Sequence, residues 1–312
     1  MENIKYDVII LGAGPAGLTA GLYASRAGLK TAIIEKGQTG GQISLTLDVD
    51  NYPGVVKTSG PELTDKMLEQ AKSFGAEKIS DEIKEISLDG DKKILKSSTK
   101  TYEAKALIYA TGANPRKLNV PGEKEYVGKG VAYCATCDGA FYQGSDIYVV
   151  GGGDAAIEEA IFLTKFGKRV VVLNRSGELK AANSIQQKAF ANDKIEIRHH
   201  EEVVEIIGDK FVKSIKIKNN QTGEERIVTA NEGDPDIGLF IFAGYLPNTA
   251  LLDGVVELER GYVKAGEDTK TSIPGIFAAG DVRVKTVRQV VTAAADGAVA
   301  AIAAEKYIES ME

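Results

Sequence analysis

Two cysteines separated by two residues, Cys134 and Cys137, have the spacing best suited to chemistry in this 312-residue sequence. A Cys-x-x-Cys pair can close a small disulfide and reopen it, and the arrangement lowers the pKa of one thiol toward neutrality. The alternatives are an inert pair or half of a zinc site. Zinc would need two more ligands, and the adjacent His199 and His200 lack the usual spacing. We therefore predict a redox-active dithiol.

Asp138 directly follows the second cysteine and precedes a glycine. A carboxyl group there could give and take the proton that thiol chemistry requires, provided that burial raised its pKa above the ordinary value of about 3.9. An Asp-Gly pair is also typical of a turn, so a purely structural role is the alternative. The predicted catalytic residues are thus Cys134, Cys137 and Asp138.

The first of two glycine-rich motifs follows an apolar, strand-like run, precedes a helix-like stretch that ends at Ala27, and leads to a second strand-like run that ends at an acid. Its residues are Gly12, Ala13, Gly14, Pro15, Ala16 and Gly17, and the acid is Glu35. In the βαβ dinucleotide pattern, such glycines permit a tight turn, close approach of a pyrophosphate and close helix packing. The helix N-terminus would bind the phosphates and Glu35 a ribose hydroxyl.

The second motif has the same layout, with a strand-like run up to Val150, a helix-like stretch through Phe166 and a further strand. Its three motif positions are Gly151, Gly153 and Ala156. The position equivalent to Glu35 is occupied by Asn174, which is neither the acid that binds the ribose of NAD nor an arginine for the 2′-phosphate of NADP. Arg175 and Lys180 supply some positive charge nearby. We predict a nucleotide fold with a weakened cofactor-recognition site.

Two such motifs in one chain predict an α/β protein with two Rossmann-like nucleotide-binding domains. The strand-like run ending at Gly112 and the run ending at Gly244 resemble each other, and each has a proline three residues later. Their separation indicates duplication of a whole domain rather than of a short repeat. A flavin in one domain and a hydride donor in the other is the obvious use, and a purely structural second copy is the alternative.

Composition excludes several other functions. The 38 basic and 44 acidic residues give a net charge of −6, without the basic clusters expected of a nucleic-acid-binding or membrane-surface protein. Two cysteines and two histidines are too few for most zinc sites, so no metal is expected. The apolar stretches lack the features of a signal peptide or a membrane span, and we expect a cytoplasmic protein.

The order of the motifs resembles that of the low-molecular-weight thioredoxin reductases over essentially the whole chain. The most specific element is the run from Cys134 to Gly139 just before the second glycine motif, because other flavin disulfide reductases carry their cysteines in the FAD domain. The remaining shared motifs are Gly40-Gly41-Gln42, Asn51-Tyr52-Pro53-Gly54, Ala110-Thr111-Gly112, Ala279-Gly280-Asp281 and Arg288-Gln289-Val290.

The resemblance implies a homodimeric FAD enzyme that reduces thioredoxin. It implies an FAD domain at about 1–113 plus 245–312 and a pyridine-nucleotide domain inserted at about 114–244, which rotates about hinges at their junctions. Cys137 would face the flavin, Cys134 would attack thioredoxin, and a C-terminal helix from Val290 to Tyr307 would pack on the first domain. Besides the first motif, the residues implied to bind FAD are Gly41, Gln42, Asn51, Thr111, Gly112, Gly280, Asp281, Arg288, Gln289 and Val290.

The donor is where this chain departs from the family. NADPH-dependent members have a His-Arg-Arg-x-x-x-Arg run, whereas this chain has Asn174, Arg175 and Ser176 at its start and Lys180 at its end. Lysine cannot copy the bidentate phosphate contact of arginine. NADPH and ferredoxin are therefore both candidate donors. A dithiol oxidase that passes electrons from thiols to oxygen, and a non-enzymatic flavin-bound redox sensor, are the alternative functions.

Overall fold

The computed structural model describes residues 2–46, 49–230 and 235–311, apart from the side chains of Glu2 and Leu45. The chain forms two compact units. One combines both ends of the chain, Met1–Asn114 and Leu246–Glu312, and the other is the stretch between them, Pro115–Tyr245. The predicted fold class, an α/β protein with one Rossmann-like half inserted into another, is confirmed.

The elements follow one another along three stretches of chain. The first contains β1 (Glu2–Leu11), α1 (Pro15–Arg26), β2 (Thr31–Glu35), α2 (Gly60–Ser73), β3 (Glu77–Ser80), β4 (Glu85–Asp89), β5 (Lys92–Lys96), β6 (Lys100–Tyr109) and β7 (Ala113–Pro115). The second contains β8 (Val131–Ala132), α3 (Ala135–Asp138), β9 (Asp146–Val150), α4 (Asp154–Leu163), β10 (Arg169–Asn174), α5 (Asn183–Phe190), β11 (Ile195–His199), β12 (Glu201–Gly208), β13 (Val212–Asn219), β14 (Glu225–Thr229) and β15 (Gly238–Ile241). The third contains β16 (Tyr245–Pro247), β17 (Leu258–Glu259), β18 (Tyr262–Val263), β19 (Ile276–Ala278) and α6 (Val290–Glu309).

The unit formed by the two chain ends is built on a seven-stranded sheet with the order β3-β2-β1-β6-β5-β4, and β19 also pairs with β6. Strand β1 runs parallel to β2 and β6, whereas β5 runs antiparallel to β4 and β6. The carboxyl ends of β1, β2 and β6 therefore meet at one edge. Ligands of doubly wound sheets bind at such an edge.

Helices α1 and α6 cross closely on one face of this sheet. A Cβ placed at Gly297 of α6 would lie 2.1 Å from the backbone oxygen of Ala16 in α1. The crossing therefore requires glycine at position 297, and it brings the C-terminal helix against the first turn of α1, within the first glycine motif. Apolar side chains of both helices join one buried core with those of β1 and β6.

The inserted unit has a five-stranded parallel sheet with the order β11-β10-β9-β15-β8 and a three-stranded antiparallel sheet β12-β13-β14. The second glycine motif follows β9, and Asn174 ends the neighbouring β10. The chain enters and leaves this unit through β7 and β16, which pair with each other.

Three helix ends differ from the sequence-based expectations. Helix α1 ends at Arg26, one residue before the expected Ala27. Helix α4 ends at Leu163 rather than Phe166, because the amides of residues 164, 165 and 166 bond to carbonyls three residues earlier and tighten the last turn. Helix α6 continues to Glu309, two residues beyond the expected Tyr307. In the parts of the chain that the structure describes, no helix is long and apolar enough to cross a membrane.

Candidate active site and cofactor sites

The three glycines of the first motif are constrained for different reasons. Gly12 has φ +110°, and a Cβ there would lie 2.4 Å from the Ala110 oxygen, so this tight turn requires glycine. A Cβ at Gly17 would lie 1.9 Å from the Gly12 oxygen, so any side chain at position 17 would prevent the helix from packing this closely against the turn after β1. At Gly14 the nearest atoms are 3.9 Å away, in ordinary contact. Protein packing does not explain Gly14.

The start of α1 fits a bound dinucleotide. Gly14 is the N-cap residue and no side chain caps the helix, whose first residues are Pro15, Ala16 and Gly17. Unpaired amides at a helix N-terminus attract phosphate groups, and glycine at the cap leaves the backbone accessible to them. Gly41 lies against Gly14, since a Cβ at Gly41 would be 3.2 Å from the Gly14 Cα. The assignment of this place to the FAD pyrophosphate stays a prediction.

Glu35 ends β2 beside this turn. One of its carboxylate oxygens accepts the Ala13 amide at 3.0 Å and the other the Gly37 amide at 2.8 Å. These bonds fix the carboxylate at the carboxyl edge of the sheet. Each carboxylate oxygen can accept more than one hydrogen bond, so capacity remains for a ribose hydroxyl.

The segment before α6 lies next to the same turn, because a Cβ at Gly280 would be 2.9 Å from the Ala16 Cβ. Asp281 follows, and its Oδ1 atom is buried without a hydrogen-bond partner among the described residues. Burial raises the pKa of this carboxyl, against the opposing charges of Lys285 and Arg288. A buried acceptor with spare capacity fits a ligand hydroxyl.

The last predicted FAD residues converge at the start of α6. Gln289 caps the helix through reciprocal bonds with Thr292, and it also accepts a hydrogen bond from Asn51 at 3.3 Å. Val290 is the first helical residue. The Arg288 guanidinium lies 4.6 Å from the ring centroid of Tyr262.

Sequence reasoning missed Asn248. Its backbone oxygen accepts hydrogen bonds from the hydroxyls of Tyr109 and Thr111, both at 2.8 Å, and its side chain bonds the Thr111 oxygen and Asn114. Asn114 in turn accepts a hydrogen bond from Gln42 at 2.6 Å. This network fixes the turn that contains Gly112, which has φ +67° and no atom within 4 Å of a Cβ position. The sequence signal that could have identified Asn248 is its position directly after Pro247, the proline that follows the second of the two similar runs.

Sequence reasoning also missed Asp296, a single acid in an alanine-rich helix. It is 6% exposed and accepts hydrogen bonds from the Gly280 amide, from Arg283 and from Lys285. Arg283 is 3% exposed and binds both carboxylate oxygens at 2.8 Å. This buried cluster holds the backbone just before Asp281.

The second glycine motif has similar geometry in the inserted unit. Gly151 has φ +144°, and a Cβ there would lie 2.6 Å from the Phe242 oxygen and 2.7 Å from the Cβ of Ala156. Gly153 is the N-cap of α4, has no side-chain cap, and has no atom within 4 Å of a Cβ position. The start of α4 therefore also fits a phosphate group.

The side chain of Asn174 forms its hydrogen bonds with other residues of the inserted unit. It is 5% exposed, its amide donates to the oxygens of Ser176 and Glu178, and it also bonds His199. Its Oδ1 would be 2.4 Å from a Cβ on Gly152, so the side chain faces the glycine loop. Asn174 thus shapes the following turn instead of presenting a free group to a ribose.

The two cationic side chains predicted to bind a 2′-phosphate lie on the turn after Asn174. Arg175 and Lys180 are both exposed, and neither forms an ion pair within the described parts of the chain. The Lys180 amide donates to the Gly152 oxygen at 2.7 Å, which holds that end of the turn against the glycine loop. The structure thus brings Lys180 to the second motif, with Ser176 between the two cations.

Cys134 and Cys137 form a disulfide at the start of the short helix α3. The Cys134 sulfur accepts the Cys137 amide at 3.2 Å, and the Thr136 hydroxyl lies 3.4 Å from the same sulfur. Within the described ranges, no three residues among histidine, cysteine, aspartate and glutamate are grouped closely enough to hold a metal ion.

Asp138 is the last residue of α3, and it is half-buried. Burial raises the pKa of its carboxyl to about 6. Burial and the charge of Asp138 also raise the pKa of the nearby Tyr142. A carboxyl with a pKa near 6 exchanges protons readily at neutral pH, which favours the proposed acid–base role over a simple turn.

Comparison with known proteins shows a match over residues 6–297 to the family model described as pyridine nucleotide-disulphide oxidoreductase. A thioredoxin reductase of Peptoclostridium litorale is 50% identical, with 100% of this chain and 99% of the relative covered. A thioredoxin reductase of Bacillus subtilis is 44% identical, with 100% of this chain and 97% of the relative covered.

A solved structure shows the same full-length similarity. The crystal structure of thioredoxin reductase from Streptococcus pyogenes has a TM-score of 0.92 and 45% sequence identity, with 99% of this chain and 100% of that chain covered. Similarity of sequence and of fold therefore extends over the whole length of both chains.

Proposed function

The chain belongs to the pyridine nucleotide-disulphide oxidoreductase family, and from this premise we propose that it is an FAD-dependent thioredoxin-disulfide reductase. The observation that carries the proposal is the Cys134–Cys137 disulfide, followed directly by the half-buried Asp138, whose carboxyl pKa is raised by burial to about 6. The full-length similarity to thioredoxin reductases supports the choice of substrate. We place the activity in the cytoplasm, where thioredoxin keeps thiols reduced.

The unit formed by both chain ends is the proposed FAD domain. The N-terminus of α1 would bind the pyrophosphate through Gly14 and its neighbours, Glu35 would accept a ribose hydroxyl, and Asp281 would bind a further hydroxyl. When bound, FAD supplies the redox chemistry that connects an electron donor to a disulfide. The residues of this chain bind it and orient it.

The thiol steps use the reduced form of the cysteine pair. The Cys134 thiolate attacks one sulfur of the thioredoxin disulfide, which forms a mixed disulfide and releases the other thioredoxin sulfur as a thiolate that takes up a proton. The Cys137 thiolate then attacks Cys134, re-forms the Cys134–Cys137 disulfide and releases the second thioredoxin sulfur. Asp138 supplies and recovers a proton in these steps, since its pKa of about 6 lies close to physiological pH.

We propose NADPH as the donor and ferredoxin as the second candidate. The uncapped helix start at Gly153 favours a nucleotide, and Arg175 and Lys180 are positioned on the turn that would meet a 2′-phosphate. Two features favour ferredoxin. The Asn174 side chain is occupied by hydrogen bonds to Ser176 and Glu178, and Ser176 stands in the sequence where NADPH-dependent relatives have an arginine. A single experiment separates the two donors.

That experiment follows the flavin absorbance of the purified protein under anaerobic conditions, with NADPH, NADH and reduced ferredoxin added separately. Rapid bleaching by NADPH supports the first donor, and bleaching by ferredoxin alone supports the second. A dithiol oxidase would instead release peroxide from a thiol substrate in air with no added donor. A redox sensor would show bleaching but negligible turnover with any thioredoxin.

The cysteine variants test the reductase itself. Cys134→Ser and Cys137→Ser should each abolish reduction of thioredoxin while FAD remains bound, because each removes one half of the exchangeable disulfide. Reduction of thioredoxin is measured by the loss of its disulfide under a saturating donor, and FAD by its absorbance after gel filtration. Retained turnover in both variants contradicts the proposal.

We also propose that the protein is a homodimer in which helix α6 contributes to the interface. Val291, Val299 and Ile302 are 41%, 39% and 42% exposed, and with the exposed Ala295 they form an apolar stripe along one face of the helix. An apolar stripe along an exposed helix face supports the proposal of an interaction surface there. Val299→Asp should convert the dimer to a monomer in light scattering, and an unchanged mass would refute this interface.

A further inference from the structure

We propose that Thr136, the second residue between the two cysteines, stabilises the thiolate of Cys134 relative to that of Cys137 by donating a hydrogen bond to the Cys134 sulfur. The Thr136 hydroxyl lies 3.4 Å from this sulfur. A thiolate has no proton to donate, so in the reduced protein the hydroxyl must be the donor. Thr136 is thereby a positioning residue for the dithiol.

The two sulfurs differ in their surroundings. The Cys134 sulfur also accepts the Cys137 amide at 3.2 Å, so it receives a backbone donor and a side-chain donor. In the described part of the chain, no comparable donor reaches the Cys137 sulfur. Hydrogen bonds to a charged form favour that form and lower the pKa of an acid. The asymmetry therefore favours Cys134 as the more acidic thiol.

The ionisable groups on the elements packed against α3 do not account for a lowered thiol pKa. Helix α3 packs against α4 and against the 3-10 helix over Gly139–Tyr142. The ionisable side chains on these elements are acidic: Asp138, Tyr142, Asp154, Glu158 and Glu159. Negative charge disfavours a thiolate. Within these elements, stabilisation is left to the Thr136 hydroxyl and the Cys137 amide.

The consequence is a choice of nucleophile. Thiol–disulfide exchange requires the thiolate, and the thiol with a pKa near the ambient pH attacks most effectively. Thr136 would thus increase the fraction of Cys134 that can attack a substrate disulfide at neutral pH. The inference rests on the proposed role of the cysteine pair, and it is independent of the electron donor.

The test is a titration of the thiols in the reduced holoenzyme. After anaerobic reduction with dithiothreitol and removal of the reductant, the alkylation rate with iodoacetamide is measured against pH, and mass spectrometry assigns each product. Thr136→Val removes the hydroxyl and keeps the shape, whereas Thr136→Ser keeps the hydroxyl. We expect Thr136→Val to raise the Cys134 pKa by about one unit, a roughly tenfold fall in acidity, and Thr136→Ser to match the parent.

The result that overturns the inference is a Cys134 pKa in Thr136→Val within about 0.3 unit of the parent, or an equal rise in both variants. Thr136→Ala provides a second variant without a hydroxyl, and its Cys134 pKa should also rise. Because the titration uses neither donor nor thioredoxin, it reports on Thr136 even in a protein without reductase activity. Failure of the proposed function and failure of this inference are therefore distinguishable.

Discussion

Replacement of Asp296 by asparagine should strongly destabilise the unit formed by the two chain ends, although position 296 lies in a helix outside both glycine motifs. The Asp296 carboxylate is 6% exposed and accepts bonds at 2.8 or 2.9 Å from the Gly280 amide, from two nitrogens of Arg283 and from Lys285. Asparagine keeps the volume but removes the charge. Arg283 and Lys285 would then remain as two cations that have lost their buried carboxylate partner, and the Glu267 carboxylate 3.5 Å from Arg283 is on a side chain that is 96% exposed.

Breaking a buried ion pair from one side costs about 3–5 kcal/mol, because the partner is left charged and desolvated. For a unit of this size that corresponds to a fall of roughly 6–20 °C in unfolding temperature. Burial alone would raise the Asp296 pKa, but the hydrogen bonds and charges of Arg283 and Lys285 outweigh it, and the pKa lies below 3.8. The stabilisation is therefore complete above about pH 4 and is lost as the pH falls through the lowered pKa.

The assay is urea unfolding of the purified protein at pH 7 and pH 3, followed by circular dichroism and by release of flavin. Glu267→Gln is the matched control, because Glu267 also contacts Arg283 but its side chain is 96% exposed, and the loss should stay below about 0.5 kcal/mol. The double change Asp296→Leu with Arg283→Met should recover part of the loss. An Asp296→Asn protein within about 1 kcal/mol of the parent at pH 7 would refute this reasoning.

Three further predictions concern the chemistry. Asp138→Asn should slow thioredoxin reduction and yet stabilise the fold above pH 6 by up to about 3 kcal/mol, because burial raises the carboxyl pKa to about 6 and makes its ionisation unfavourable. Unfolding curves at pH 5 and pH 8 measure this stability, and equal stability of variant and parent at pH 8 contradicts the prediction. Phe141, which lies shortly after α3 and is 54% exposed, should contact thioredoxin. Phe141→Ala should raise the KM for thioredoxin about tenfold and leave the turnover of a small disulfide unchanged. Equal losses with both substrates would count against this contact. Ser176→Arg combined with Lys180→Arg should raise the NADPH-to-NADH ratio of kcat/KM by about tenfold or more, since arginine binds phosphate bidentately; an unchanged ratio would show that a 2′-phosphate does not bind at this turn.

Local patterns identified the parts of this protein that lie close together in the chain. The residues around Gly12, Gly14 and Gly17 form a strand, a turn and a helix within one short stretch, and the backbone demands at each glycine follow from that local path. The Cys-x-x-Cys pair is similar, since one short helix is enough to bring both sulfurs together. Helix ends were less well predicted, as α4 shows, because the last turn depends on how its final amides are bonded.

The contacts of Asn248 and Asp296 could not be read from sequence. Asn248 follows the inserted unit in the sequence, whereas Tyr109 and Thr111 precede it. Their hydrogen bonds form only once folding has brought β6 and the segment after the inserted unit together. The sequence by itself determined the two glycine motifs, the closely spaced cysteine pair and the presence of Asn174 in place of an acid, because these depend on residue type and short-range spacing. Only the tertiary structure decided that burial raises the pKa of Asp138 to about 6, and that Asp296 holds the backbone beside Asp281. Desolvation and long-range ion pairing depend on what the fold packs around each group.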